Sequence, residues 1–186
     1  MTVDGLLLAA GAGSRMGRPK ALVRGEDGEP WLVRSVRALT DGGCTQVTVV
    51  LGASAEEALP LLEGTGATAV VAADWADGMS ASLRAGLAAV EATDADAVVV
   101  GLVDLPDVGA DVVRRLLDPP PGPATLRRAA YAGRPGHPVV LGRDHWAGIG
   151  AETDGDRGAR GYLATREVEV VECGDLASGR DRDHPA

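Results

Sequence analysis

Between Val3 and Leu117, short apolar runs of strand length alternate with stretches of helical spacing, and this alternation limits the possible folds more than any other feature. Val3 to Ala9 reads as a strand that empties into a glycine-rich loop. Trp31 to Thr40 sets Leu32, Val33, Val36 and Leu39 at helical spacing and stops at Gly42-Gly43. Gln46 to Leu51 and Ala67 to Ala72 read as strands, with a short helix over Ala55 to Leu62 between them and Ser54 as its cap. Ser80 to Ala92 is helical, with Leu83, Leu87 and Val90 on one face and Ser80 available as its cap. Ala95 to Val103 is the clearest buried strand. The pattern predicts βαβ units and one α/β domain, residues 1–186, with three α/β/α layers around a mostly parallel, Rossmann-like sheet.

The second half changes character. After the Pro119–Pro123 loop, Ala124 to Tyr131 and His137 to Leu141 read as two strands joined through residues 132–136, a hairpin-like insertion. Gly158 to Thr165 is a short helix, and Arg166 to Glu172 alternates like an exposed edge strand. The chain thus divides into residues 1–117, residues 118–173 and a polar stretch over 174–186 with the composition of an unpacked tail.

Charge and composition narrow the functions. The formal net charge of −9 argues against a nucleic-acid groove, which needs a basic face, and requires that a polyanionic ligand be held by a local cluster. No apolar run approaches the roughly 18 residues that span a bilayer. The opening strand lacks a signal-peptide layout, so the expected location is cytoplasmic and away from membranes. Cys44 and Cys173, far apart, read as buried free thiols. Only Lys20 among the 18 basic residues is lysine. In a chain that otherwise writes arginine, that position points to a need for a compact ammonium.

The loop after the first strand, Ala10-Gly11-Ala12-Gly13-Ser14-Arg15-Met16-Gly17, brings backbone N–H groups to the carboxyl end of a parallel sheet, where doubly wound folds bind ligands. It contains no Gly-Lys pair, so it is not a P-loop. Its third glycine falls one residue late for a dinucleotide fingerprint, and the second strand ends at Leu51-Gly52-Ala53 without the expected acidic residue. Two readings remain: a plain strand-to-helix turn with solvated cations, or a phosphate cradle in which Arg15, Arg18 and Lys20 meet a nucleoside triphosphate.

Asp104 follows the most buried strand and precedes Pro106, which suits either a hard oxygen ligand for Mg²⁺ or the cap of a helix starting near Val108, a role open also to Asp107. Gly78 and Ser80 stand where a loop enters a helix, so Ser80 is an N-cap, a base or ribose contact, or both. His137 has no Ser/Asp partner pattern for a triad and packs locally or meets a substrate.

The stretch Leu8 to Lys20 resembles the signature of the MobA-like nucleotidyltransferase family, nearest to molybdenum cofactor cytidylyltransferases. Later blocks are similar in order: Asp77-Gly-Met-Ser-Ala-Ser-Leu83, Leu102-Val-Asp-Leu-Pro106, Gly133-Arg-Pro-Gly-His-Pro-Val139 and Gly155-Asp-Arg-Gly-Ala-Arg160. The resemblance implies a nucleotide-diphospho-sugar transferase-type sheet and transfer of a nucleoside monophosphate, CMP from CTP, to a small phosphorylated acceptor of the molybdopterin type. It implies a nucleotide site of Leu8, Ala9, Ala10, Gly11, Gly13, Ser14, Arg15, Lys20, Gly78 and Ser80, with Arg15, Lys20 and Asp104 as the catalytic groups. Mg²⁺ would sit on Asp104 and Asp183, the latter in an Asp-x-Asp-x-Pro-like element, although threonine usually stands where His184 does. His137, Asp156 and Arg160 fall on the acceptor side, with Asp156 alternatively a helix cap. A molybdoenzyme or its chaperone is the protein partner implied. The competing class is an oxidoreductase on the same scaffold, nicotine-blue-oxidoreductase-like, against which the failed dinucleotide spacing stands.

Overall fold

Seven strands form one sheet, ordered β3-β2-β1-β4-β6-β5-β7, in a computed structural model that describes residues 1–13 and 17–182. The first three strands, β1 (Val3–Ala9), β2 (Val47–Leu51) and β3 (Thr68–Val71), wind outward in one direction. The chain then returns to the other side of β1 with β4 (Ala97–Leu102), and β1 pairs in parallel with both β2 and β4. The order therefore reverses between β1 and β4. A crevice opens at such a reversal because the connections leave the two strands on opposite faces.

Helices α1 (Trp31–Asp41), α2 (Ala55–Ala58) and α4 (Ala110–Leu116) cover one face of the sheet, where Leu32, Val36, Leu39 and Leu116 pack on Leu7, Val49 and Val99. Helices α3 (Met79–Val90), α5 (Trp146–Glu152) and α6 (Arg160–Ala164) cover the other, with Leu83, Leu87, Ile149 and Leu163 against Leu6, Val50 and Val98. β1 and β2 are buried along their whole length, which is why their sequences are mostly apolar rather than alternating; the buried Asp4 of β1 accepts the N–H of Gln46 at 3.2 Å. The three-layer α/β architecture is the one that the alternation predicted.

The hairpin of β5 (Leu126–Tyr131) and β6 (Arg134–Gly142) continues the main sheet, with β6 antiparallel to β4 and β7 (Glu169–Glu172) parallel to β5 at the edge. β6 begins at Arg134, three residues earlier than the sequence pattern indicates. Pro135 and Gly136 look like loop residues, but a register shift between Arg128 and Ala130 accommodates them. The turn places Ala132 and Gly133 at positive φ, and the Glu172 carboxylate accepts both their N–H groups at 2.9 Å. Those bonds, with a third from Gly174, hold the Glu172 carboxyl below its ordinary range.

The expected cap Ser54 makes no capping bond to α2, and Asp104 and Asp156, for which capping was the alternative role, make none to the helices they precede. Asp107 instead accepts from the backbone N–H of Ser178 at 2.7 Å and from its hydroxyl. The segment from Gly174 to Arg182 is not unpacked. Arg115 of α4 grips Asp175 with two nitrogens, and the N–H of Arg182 donates to the carbonyl of Asp104 at 3.0 Å. Its charges find partners on the β4–α4 side of the molecule, which a local reading of polarity does not see. Cys44 and Cys173 are buried free thiols, and burial with the nearby Asp4 pushes the Cys44 thiol up to about 12. No helix among the described residues is long and apolar enough to cross a membrane.

Candidate active site

The crevice between β1 and β4 is a cleft of about 430 Å³. Leu8, Ala9 and Ala10 at the end of β1, with Gly11, Ala12 and Gly13, form one wall. The end of β4 supplies Leu102, Val103 and Asp104, and Trp75, Gly78, Met79 and Ser82 close the side toward α3. Gly13 has φ +62°, and a Cβ there would run into the carbonyl of Arg18, so the loop backbone needs glycine at this point.

Lys20 sits in a single 3-10 turn, Lys20–Leu22, and its ammonium donates to Asp104 Oδ2 at 2.7 Å. Both side chains are about one-fifth exposed, at 19% each. The other carboxylate oxygen, Asp104 Oδ1, is buried without a hydrogen-bond partner. A buried carboxylate oxygen left without a donor is costly, and a divalent cation or a water relieves it. The donor chemistry fits Mg²⁺ or Mn²⁺, which are held by one or two carboxylates together with phosphate oxygens. Among the described residues no cluster of three or more His, Cys, Asp or Glu side chains exists.

Gly78, the residue before α3, has φ +104°. A Cβ on it would stand 2.5 Å from Asp156 Oδ1 and 2.8 Å from Gly155. Asp156 thus reaches the cleft wall against the Gly78 loop, rather than standing apart from the nucleotide-side residues. Ser80 does not line the cleft. It is fully buried in the second position of α3, and its hydroxyl accepts the N–H of Gly158 at 3.2 Å, tying α3 to the turn before α6. Gly78, not Ser80, holds the N-cap position. Ser82, one polar residue further along α3, is the hydroxyl that faces the cleft.

His137 on β6 is half-buried, and its imidazole is pushed down to about 4. Burial is the largest cause; Arg128 and Arg160 also lower it, while Asp104 opposes them. The same interactions put Asp104, Arg160 and Arg128 within electrostatic reach of His137, and Arg128 of β5 is a member that the sequence reading overlooked. Arg15, Ser14 and Asp183 lie outside the described residues. Of the remaining sequence-derived residues, Leu8, Ala9, Ala10, Gly11, Gly13, Lys20, Gly78, Asp104 and Asp156 share the cleft. Trp75, Met79 and Ser82 were missed as site residues; Met79 adjoins Gly78, and Trp75 lies three residues before it.

A crevice at the chain reversal, glycine-walled, with a lysine–carboxylate pair at its edge, defines an α/β protein of the nucleotide-binding class. Residues 5–170 match the family described as the MobA-like NTP transferase domain, and the chain belongs to that family. A relative named nicotine blue oxidoreductase, from Paenarthrobacter nicotinovorans, is 36% identical over 97% of this chain and 92% of its own. The Rv0371c homologue from Mycobacterium sp. strain JC1 superimposes with a TM-score of 0.83 at 31% identity, over 98% of this chain and 90% of that one. Rv0371c of Mycobacterium tuberculosis, in a complex with manganese, gives 0.77 at 27% identity over 93% and 89% of the two chains.

Proposed function

We propose that this chain transfers a nucleoside monophosphate, CMP from CTP, to a small phosphorylated acceptor of the molybdopterin type, with release of pyrophosphate. The observation that carries this reading is the Lys20–Asp104 pair with its unpartnered Asp104 Oδ1 at the mouth of a glycine-walled cleft. In the reaction an oxygen of the acceptor phosphate attacks the α-phosphorus, forming a new P–O bond. The bond from that phosphorus to the bridging oxygen breaks, and pyrophosphate leaves with the electron pair. The attacking oxygen is already deprotonated at neutral pH, so the step needs no general base. His137, pushed down to about 4, is in any case a weak base.

The work of the protein is positioning and charge stabilisation. Amides of the Gly11–Gly13 loop would donate to the polyphosphate, and Lys20, released from Asp104, would move to the departing pyrophosphate. Arg15 is placed in the same role by its position in the motif. Asp104, joined in this proposal by Asp183, would hold a divalent metal such as Mg²⁺, which neutralises phosphate charge. That Rv0371c forms a complex with manganese supports the use of a divalent metal. Leu8, Ala9 and Ala10 would lie along the base, with Gly78, Ser82 and Asp156 nearer the sugar.

The test incubates the protein with CTP, GTP, UTP or ATP, Mg²⁺ and a molybdopterin acceptor, and follows pyrophosphate and the nucleotidylated product. Product with CTP above the other nucleotides is the expected result. The oxidoreductase reading has one observation in its favour, the name of the 36%-identical relative. A parallel assay of NAD(P)H oxidation with quinonoid dyes separates the two: turnover there, with no pyrophosphate from any triphosphate, would displace nucleotidyl transfer.

A further inference from the structure

Neighbouring arginines on β5 have opposite surroundings. Arg127 is 4% exposed and saturated: its Nε pairs with Glu169 at 2.6 Å, and Nη1 donates to the carbonyls of Leu116 and Pro119 at 2.6 and 2.8 Å. Arg128, on the other face of the strand with its register partner Val139, has one bond, from Nη2 to the carbonyl of Gly136 at 3.2 Å. Its Nε is buried with no hydrogen-bond partner. Among the described residues no carboxylate pairs with it, and the charge that acts on it is a second cation, Arg160 of α6. Burial and that like charge both pull the Arg128 guanidinium below its ordinary value. Among the described residues, neither Arg128 nor Arg160 forms an ion pair, in a chain of net charge −9 that has acidic groups to spare.

We propose that Arg128, with Arg160 and His137, forms a second anion site that binds the phosphomonoester of the acceptor beside the Lys20–Asp104 pair. Two unneutralised guanidiniums call for a dianion, and a phosphomonoester carries a charge of about −1.5 to −2 at neutral pH. A lone carboxylate would leave one of them unbalanced. Guanidinium forks also match phosphate oxygens in pairs, so an incoming phosphate would satisfy the buried Nε as well as the charge. His137, neutral at pH 7, contributes a hydrogen bond without adding to the repulsion. β6 runs antiparallel to β4 with Val139 opposite Val100, so His137 lies at the end of β4 that leads into Asp104. Arg128 here is a binding residue that positions the nucleophile. This assignment rests on the nucleotidyl-transfer reading for what the phosphate belongs to, though not for its binding.

The test first weakens the competing loop site. Lys20→Gln protein is titrated with inorganic phosphate at low ionic strength, and Arg128→Gln or Arg160→Gln is then added to that background. Phosphate should bind the Lys20→Gln protein, and each added arginine substitution should weaken it about tenfold, with Arg128→Lys weakening it less. Unchanged phosphate affinity in both arginine variants overturns the proposal, as does loss of all phosphate binding in Lys20→Gln alone. Melting curves check folding; if Arg128→Gln does not fold, Arg160→Gln on the exposed start of α6 carries the test. A separate thermal-shift arm with CTP and Mg²⁺ on the wild type reports on the proposed function. No shift there, with arginine-dependent phosphate binding intact, rejects nucleotidyl transfer and keeps the anion site.

Discussion

The carboxyl edge of the sheet carries two charged centres of opposite design. On the side built from β1 and β4, a cation and an anion are paired, Lys20 on Asp104 at 2.7 Å, between walls of glycine and small apolar residues. On the side built from the β5–β6 hairpin and α6, Arg160 acts on the charge of Arg128, and neither forms an ion pair among the described residues. A paired centre is stable when empty and works by exchanging partners: the ammonium leaves for phosphate, and the carboxylate keeps a cation. An unpaired one is frustrated when empty and gains from an anion outright. Two phosphates of different origin, one arriving with a metal and one without, would call for such a division.

Substitutions can break this contrast at either centre. Asp104→Ala should cause the largest loss, lowering pyrophosphate release roughly a hundred- to a thousandfold, as removal of one preorganised charge-stabilising group does elsewhere. Lys20→Ala should cost about a hundredfold in the same assay. Lys20→Arg should not restore it, because a planar fork does not replace a compact ammonium in a single 3-10 turn. Arg127→Met is the control for Arg128. It should cost about 2 kcal/mol in denaturant unfolding by stranding the carbonyls of Leu116 and Pro119, while leaving phosphate affinity alone. Gly78→Ala combines a positive φ with contacts to Gly155 and Asp156, and should lower stability by about 1–2 kcal/mol and weaken triphosphate binding in thermal shifts.

The smallest expected effect concerns pH. His137 has a native pKa of about 4 against an ordinary 6.5, so the unfolded state binds more protons between those values. Its neutral form therefore contributes stability that is present above pH 6.5 and lost as pH falls toward 4. Urea unfolding of His137→Gln should show a flatter pH dependence across that window, by on the order of 1 kcal/mol; identical slopes would remove burial as the cause of the shift.

Legibility in the sequence followed the same divide. β1, β2 and β4 announce themselves because a strand buried on both faces is largely apolar, and the loop after β1 does so because only glycine fits beside Arg18. Lys20 and Asp104, 84 residues apart, were each legible from their own motif, but their contact was not. The hairpin side gave less. Pro135 and Gly136 mask the start of β6, and Arg127 and Arg128 are the same residue type in adjacent positions, told apart only by the faces of β5. Ser80 reads as a cap by local spacing, yet Gly158, 78 residues further on, claims its hydroxyl. The segment after Gly174 is polar because it pairs with Arg115, Asp107 and the backbone of Asp104. Non-local partners decide these cases.

The claim that Asp104 exchanges Lys20 for a metal-bound triphosphate is tested most directly by titrating Mn²⁺, followed by electron paramagnetic resonance, into wild-type and Asp104→Asn protein with and without CTP. Mn²⁺ should bind the wild type more tightly in the presence of CTP, and Asp104→Asn should lose about tenfold or more of that CTP-dependent affinity. Equal Mn²⁺ binding by the two proteins in the presence of CTP would contradict the account.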